Sequence, residues 1–202
     1  MKEGLFQYHI AFLSCLCYNT VMSEYRHAPE YSFVPALLAE LEANTETTWA
    51  AHAFAELGDL SQRDIVFDVD GCLYAGEIYD GRELEEGETL TGTLRPGAVE
   101  LLTLLWSKNN RLHLWSRMGA QHAGYVAQAF GLSEAGLIQS MHSKPLVGNY
   151  AITAEKAQEA LGFMPTATVD NDPEDQVVDG GIRFVQTPTF ERAANQRKSL
   201  TT

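Results

Sequence analysis

Ile65-Val66-Phe67 is a short apolar run that stops abruptly at Asp68-Val69-Asp70-Gly71. An unbroken run of this kind suits a strand covered on both faces, as in a parallel sheet. Two carboxylates and a glycine at its end put charge and a tight turn where parallel sheets hold their ligands, outside the carboxyl ends of the strands. The pattern then repeats. Pro96 opens a helix carrying Val99, Leu102, Leu105 and Trp106, which Asn109-Asn110 can close. Leu112 to Trp115 reads as a strand. Ala123, Val126, Ala127 and Phe130 have helical spacing, and Gly131 stops them. Leu137-Ile138-Gln139 reads as a third strand, Thr153 to Leu161 as a helix ended by Gly162, Ala167-Thr168-Val169 as a fourth strand and Ile182 to Val185 as a fifth. Alternation of this kind predicts an α/β fold, a Rossmann-like, doubly wound parallel sheet.

Around that core the chain divides into a partly helical N-terminal extension (1–60), a catalytic domain (61–190) and a polar C-terminal tail (191–202). Residues 34–58 read as two helices, the second running Thr47 to Leu57 and closed by Gly58; they carry no chemistry and are expected to pack on the domain. Leu5 to Met22 is too short and too often interrupted by polar residues for a membrane span, and it lacks a signal-peptide cleavage site. Leu13-Ser14-Cys15 is a weak lipoprotein-like pattern, and Met22 is an alternative start. Residues 74–94 are polar and turn-rich, and Asp80-Gly81 marks a short hairpin flap. The three cysteines, Cys15, Cys17 and Cys72, form no disulfide framework, so a reducing cytoplasm is the expected compartment. With a formal net charge of −13, nucleic acid is a disfavoured partner. The expected partner is a phosphorylated small molecule; no membrane is expected, and the oligomeric state is open.

Polar groups at or beyond the predicted strand ends define the candidate site: Asp68 and Asp70, Ser116, Lys144, and Asp170 with Asp172. Their chemistry suits phosphoryl transfer. One carboxylate can attack phosphorus, and another two residues on can protonate the leaving oxygen and later activate water. Asp68, Asp170 and a backbone carbonyl offer the hard oxygen ligands that magnesium takes. A serine hydroxyl and a lysine ammonium can hold the other phosphoryl oxygens. Lys156 competes for the lysine role, but it lies within a predicted helix, so Lys144 is preferred. Arg117 can add a cation for phosphate or form a surface salt bridge. His113 reads as a satisfied core residue. His122 and His142 could approach the site and are assigned no role.

Phe67-Asp68-Val69-Asp70-Gly71-Cys72-Leu73 resembles the first motif of the haloacid dehalogenase superfamily, an apolar strand followed by D-x-D-G-T-L. Leu112 to Ser116, Ser143-Lys144-Pro145 and Thr168-Val169-Asp170-Asn171-Asp172-Pro173 resemble its second, third and fourth motifs, in the right order. The resemblance covers about residues 63–187. It implies a magnesium-dependent phosphomonoester hydrolase, with Asp68 as nucleophile and metal ligand. Asp70 would be general acid/base and give its carbonyl to the metal. Ser116, Lys144 and Arg117 would bind phosphate, Asp170 would complete the metal ligands, and Asp172 or Asp175 would support through water. Cys72 stands where the family has threonine, and Asn171 where many members have a second aspartate. There is room for a flap but not for a large cap. The alternatives are a nucleic-acid end (3′-) phosphatase, by a loose resemblance to the phosphatase half of phage polynucleotide kinases, a protein phosphatase of the same superfamily, and a non-enzymatic binding module. Glu77, Asp80, Glu83, Glu85, Glu86 and Glu88, against the single cation Arg82, could make the flap an acidic gate that admits small phosphomonoesters.

Overall fold

The structure is a computed structural model that describes residues 34–76, 90–145 and 151–191. Its strands are β1 (Asp64–Asp68), β2 (Tyr74–Gly76), β3 (Gly92–Leu94), β4 (Arg111–Ser116), β5 (Ser140–Ser143), β6 (Ala167–Asp170) and β7 (Arg183–Gln186). Its helices are α1 (Val34–Ala43), α2 (Thr48–Leu57), α3 (Ala98–Ser107), α4 (Ala120–Ala129) and α5 (Ala154–Leu161), with a 3₁₀ turn at Pro173–Asp175. Five strands form one parallel sheet in the order β5-β4-β1-β6-β7. This is a Rossmann-like α/β arrangement. The chain moves outward from β1 to β4 and β5, then crosses back to β6 and β7. The strand order therefore reverses between β1 and β6, the place where such sheets open a crevice at their carboxyl edge.

Alternation along the strands sends side chains to two covered faces. Ile65 and Phe67 of β1 and Leu112 and Leu114 of β4 join one core with α2, α3 and α4. Val66 and Trp115 face the other way and pack with Ile152, Val177 and the α5 residues Ala154, Ala157 and Leu161. Burial on both sides explains why β1 shows no polar alternation. Helices α1 and α2 belong to the first core: Leu41, Trp49, Ala50, Ala53, Phe54 and Leu57 are all buried there. Trp49 Nε1 donates to the Pro96 carbonyl at 2.7 Å, and the Arg95 guanidinium lies 4.1 Å from the Trp49 ring. Arg183 pairs with Asp59 and so ties the loop after α2 to β7.

Two local expectations change. The third strand was expected at Leu137-Ile138-Gln139 and instead runs Ser140–Ser143. Leu137 and Ile138 are core residues of the approach loop, whereas the strand itself is the sheet edge and mostly half-buried, so no apolar run marks it. Gly58 does follow α2, but with φ −68° it is right-handed rather than a left-handed cap. Glycine suits the position because a Cβ would come within 2.7 Å of the Phe54 carbonyl. Strands β2 and β3 pair antiparallel and form the base of the predicted flap. Its Asp80-Gly81 turn, its acidic residues from Glu77 to Glu88, and Cys15 and Cys17 lie outside the described residues. No helix among the described residues is long and apolar enough to cross a membrane.

Candidate active site

Parallel register brings the strand ends to one edge. Asp68 sits beside Trp115, Ser116 beside Ser143, and Asp170 ends β6 on the far side of β1. The Lys144 backbone N–H donates to the Ser116 carbonyl at 2.9 Å, which fixes the loop after β5 against β4. From there the Lys144 side chain reaches across the edge. Its Nζ lies 2.5 Å from Asp68 Oδ1, 2.8 Å from Asp170 Oδ2 and 2.9 Å from Asp175 Oδ2. All four residues are buried. Lys156 instead lies exposed in the first turn of α5, away from this group.

Three buried carboxylates thus share one ammonium. Burial pushes the Asp68 carboxyl up to about 8; Lys144 opposes the shift, while the charges of Asp170 and Asp70 add to it. Asp170 is raised for the same first reason, burial. Asp175 goes the other way: burial would raise it, but hydrogen bonds from Arg117 and Lys144 hold it below the usual carboxylate range. Burial alone would lower Lys144, but the charges of Asp68 and Asp170 outweigh that and hold the ammonium firmly protonated.

The same assembly sets Asp172 and Asp175 apart. Asp175 contacts both Lys144 and Arg117. Asp172 accepts from the Glu174 N–H at 2.9 Å and so caps the 3₁₀ turn. The half-exposed Arg117 guanidinium pairs with Asp175 and comes to 4.0 Å from Asp172. Asn171 packs against Gly71, where a Cβ would meet its amide at 3.0 Å; Gly71 has φ +76°, a conformation glycine adopts without strain. Cys72 is buried beneath this loop, its Sγ 3.6 Å from Thr187 Oγ1, and burial pushes the thiol up. Cys72 is thus a packed, buried thiol.

Asp70 is held differently. Ser116 Oγ donates to Asp70 Oδ2 at 2.7 Å and accepts from the Met118 N–H at 2.9 Å. His122 Nε2 lies 2.8 Å from Asp70 Oδ1. The sequence left His122 without a role; its position in the first turn of α4, six residues past Ser116, is the one signal that could have pointed to it. His113 is the satisfied core residue expected, with Nδ1 2.7 Å from Ser140 Oγ and Nε2 3.0 Å from Asp64 Oδ1. His142 bonds Ser140 at 2.6 Å and stays with that cluster.

The donor set suits a hard divalent cation. Asp68 and Asp170 bring carboxylate oxygens together on the Lys144 ammonium, and burial raises both carboxyls. Among the described residues no group of three His, Cys, Asp or Glu side chains surrounds a ready-made metal position. Magnesium does not need one, because it keeps several waters and is commonly held by one or two carboxylates together with substrate phosphate.

No family model matches the chain, and comparisons with curated proteins and with solved structures gave no match either.

Proposed function

We propose that this chain is a magnesium-dependent phosphomonoester hydrolase of the haloacid dehalogenase type, with Asp68 as covalent nucleophile. One observation carries the reading: at the carboxyl edge, a buried lysine joins the Asp68 and Asp170 carboxylates, while Asp70, two residues from Asp68, stays off the lysine and is hydrogen-bonded by Ser116. A purely structural ion pair needs neither a surplus of carboxylates nor a separate, partly exposed acid beside them.

In the first step an Asp68 carboxylate oxygen bonds to phosphorus as the ester P–O bond breaks, and Asp70 gives its proton to the departing oxygen. Water then attacks the phosphorus of the aspartyl-phosphate. Asp70 takes a proton from that water, the Asp68–phosphorus bond breaks, and inorganic phosphate leaves with Asp68 regenerated. A phosphoryl group on Asp68 would have its oxygens beside Lys144 Nζ, which stabilises the charge that develops there. Asp68, Asp170 and the Asp70 carbonyl would hold magnesium, whose chemistry is to neutralise charge between the nucleophile and the incoming phosphoryl oxygens. The short ribbon β2–β3 and the net charge of −13 favour a small phosphomonoester over a polyanion.

Hydrolysis of p-nitrophenyl phosphate tests the reading. Turnover should require magnesium, stop with a chelator and return when magnesium is restored. Metal-independent turnover, or none with any aryl or sugar phosphate, would contradict it.

A further inference from the structure

At the carboxyl edge, Asp68, Asp170 and Asp175 touch Lys144. Asp70 instead meets a hydroxyl and an imidazole. Ser116 has a single hydroxyl proton, given to Asp70 Oδ2, and its lone pair takes the Met118 N–H. That fixes one oxygen. The other, Oδ1, lies against His122 Nε2. With one oxygen held, a carboxylate still pivots about its Cβ–Cγ bond; with both held, its plane is set.

His122 is itself fully buried. Ser116 leads into a turn that ends at Gly119, with φ +99°, and α4 starts one residue later. The Ala120 N–H donates to Ser143 Oγ at 3.1 Å, which pins the first turn of α4 to the end of β5. The His122 and Tyr74 rings meet edge to face at a centroid distance of 6.0 Å. The imidazole is thus fixed from the sheet edge and from the flap base. Asp70 keeps a quarter of its side chain exposed, which leaves it a face toward substrate.

We propose that His122 is a positioning residue: it holds the Asp70 carboxyl in the orientation that passes a proton to the leaving oxygen. This rests on the phosphohydrolase reading above. A structural histidine would serve folding alone, and the two roles part at the leaving group. A good leaving group departs without a proton, whereas a basic one needs it.

The test uses the full chain with magnesium and a series of aryl phosphates: p-nitrophenyl, phenyl and p-methylphenyl. The parameter is kcat/KM, which reports events through formation of the aspartyl-phosphate. In His122→Asn the shorter side chain cannot reach Asp70. Its loss should steepen along the series, from about threefold on the nitrophenyl ester to about a hundredfold on the p-methylphenyl ester. His122→Gln places an amide nitrogen near the Nε2 position and should recover most of that loss. His122→Phe keeps ring volume and the Tyr74 contact, so it supplies a second lesion should His122→Asn not fold; circular dichroism and melting check each protein. Equal losses across the series in folded variants, no loss at all, or no rescue by glutamine would overturn the positioning role. If the wild-type chain hydrolyses none of the esters, the phosphohydrolase reading itself falls, a result distinct from a flat series in an active enzyme.

Discussion

Lys144 is the residue whose removal should disturb the site most. It is buried among Asp68, Asp170 and Asp175, so Lys144→Met leaves buried Asp68 and Asp170 without their cation, while Asp175 keeps Arg117. Breaking such a group by removing one partner costs about 3–5 kcal/mol. The cost depends on pH. Asp68 and Asp170 have carboxyls already raised by burial, and loss of the ammonium removes what opposed that rise. At pH 5 both can hold protons, which relieves the unpaired charge; above about 8 the wild-type Asp68 ionises beside Lys144, whereas the variant must keep its protons at growing cost. Urea unfolding should therefore show a larger loss for Lys144→Met at pH 9 than at pH 5, and an equal loss would contradict the shared-cation picture. Asp68, Asp70, Ser116, Lys144 and Asp170 were legible in the sequence because each sits at or just past a strand end, where the fold class alone predicts convergence. His122 was not. Its meeting with Asp70 depends on how the turn from Ser116 to Gly119 aims α4, and no residue spacing encodes that angle.

Elements were legible where burial gave them a pattern. β1, β4 and β6 are covered on both faces and show it as apolar runs. β5 lies at the sheet edge, carries Ser140, Met141, His142 and Ser143, and offers no such run. The pairing of β1 with β4 also has an electrostatic latch at its start. Arg111 hydrogen-bonds Asp64 and, together with His113, holds that carboxyl below the usual range, although burial opposes them. A depressed carboxyl stabilises the fold above its unfolded value, about 3.9, and loses that contribution as pH falls through its folded value. Asp64→Asn should therefore cost about 1–2 kcal/mol at pH 7. The difference from wild type should shrink as pH falls below about 4. Thermal melts across that range check it; a difference that grows in acid would contradict the latch.

At the scale of the whole molecule, the two N-terminal helices share the core of the sheet. Leu41, Trp49, Phe54 and Leu57 are buried against it, and each contributes about 1.5–3 kcal/mol of burial. Their sum is comparable to the entire stability of an ordinary domain, about 5–15 kcal/mol. A chain starting at residue 61 should lack a cooperative melting transition, and a native-like melt would show that the helices are dispensable. The sequence showed the helices but not the depth of their packing, because apolar spacing names a buried face without naming what covers it. The central claim, that Asp68 carries the phosphoryl group, is tested most directly by trapping the intermediate. Asp70→Asn leaves the nucleophile in place and removes the group that activates water, so p-nitrophenyl phosphate with magnesium should give a nitrophenol burst of one per active chain. Peptide mass spectrometry after acid quench should find the phosphoryl group on Asp68, labile to hydroxylamine, and absent when Asp68→Asn is added. A burst with no phosphorylated Asp68, or a phosphoryl group on another residue, would contradict the account.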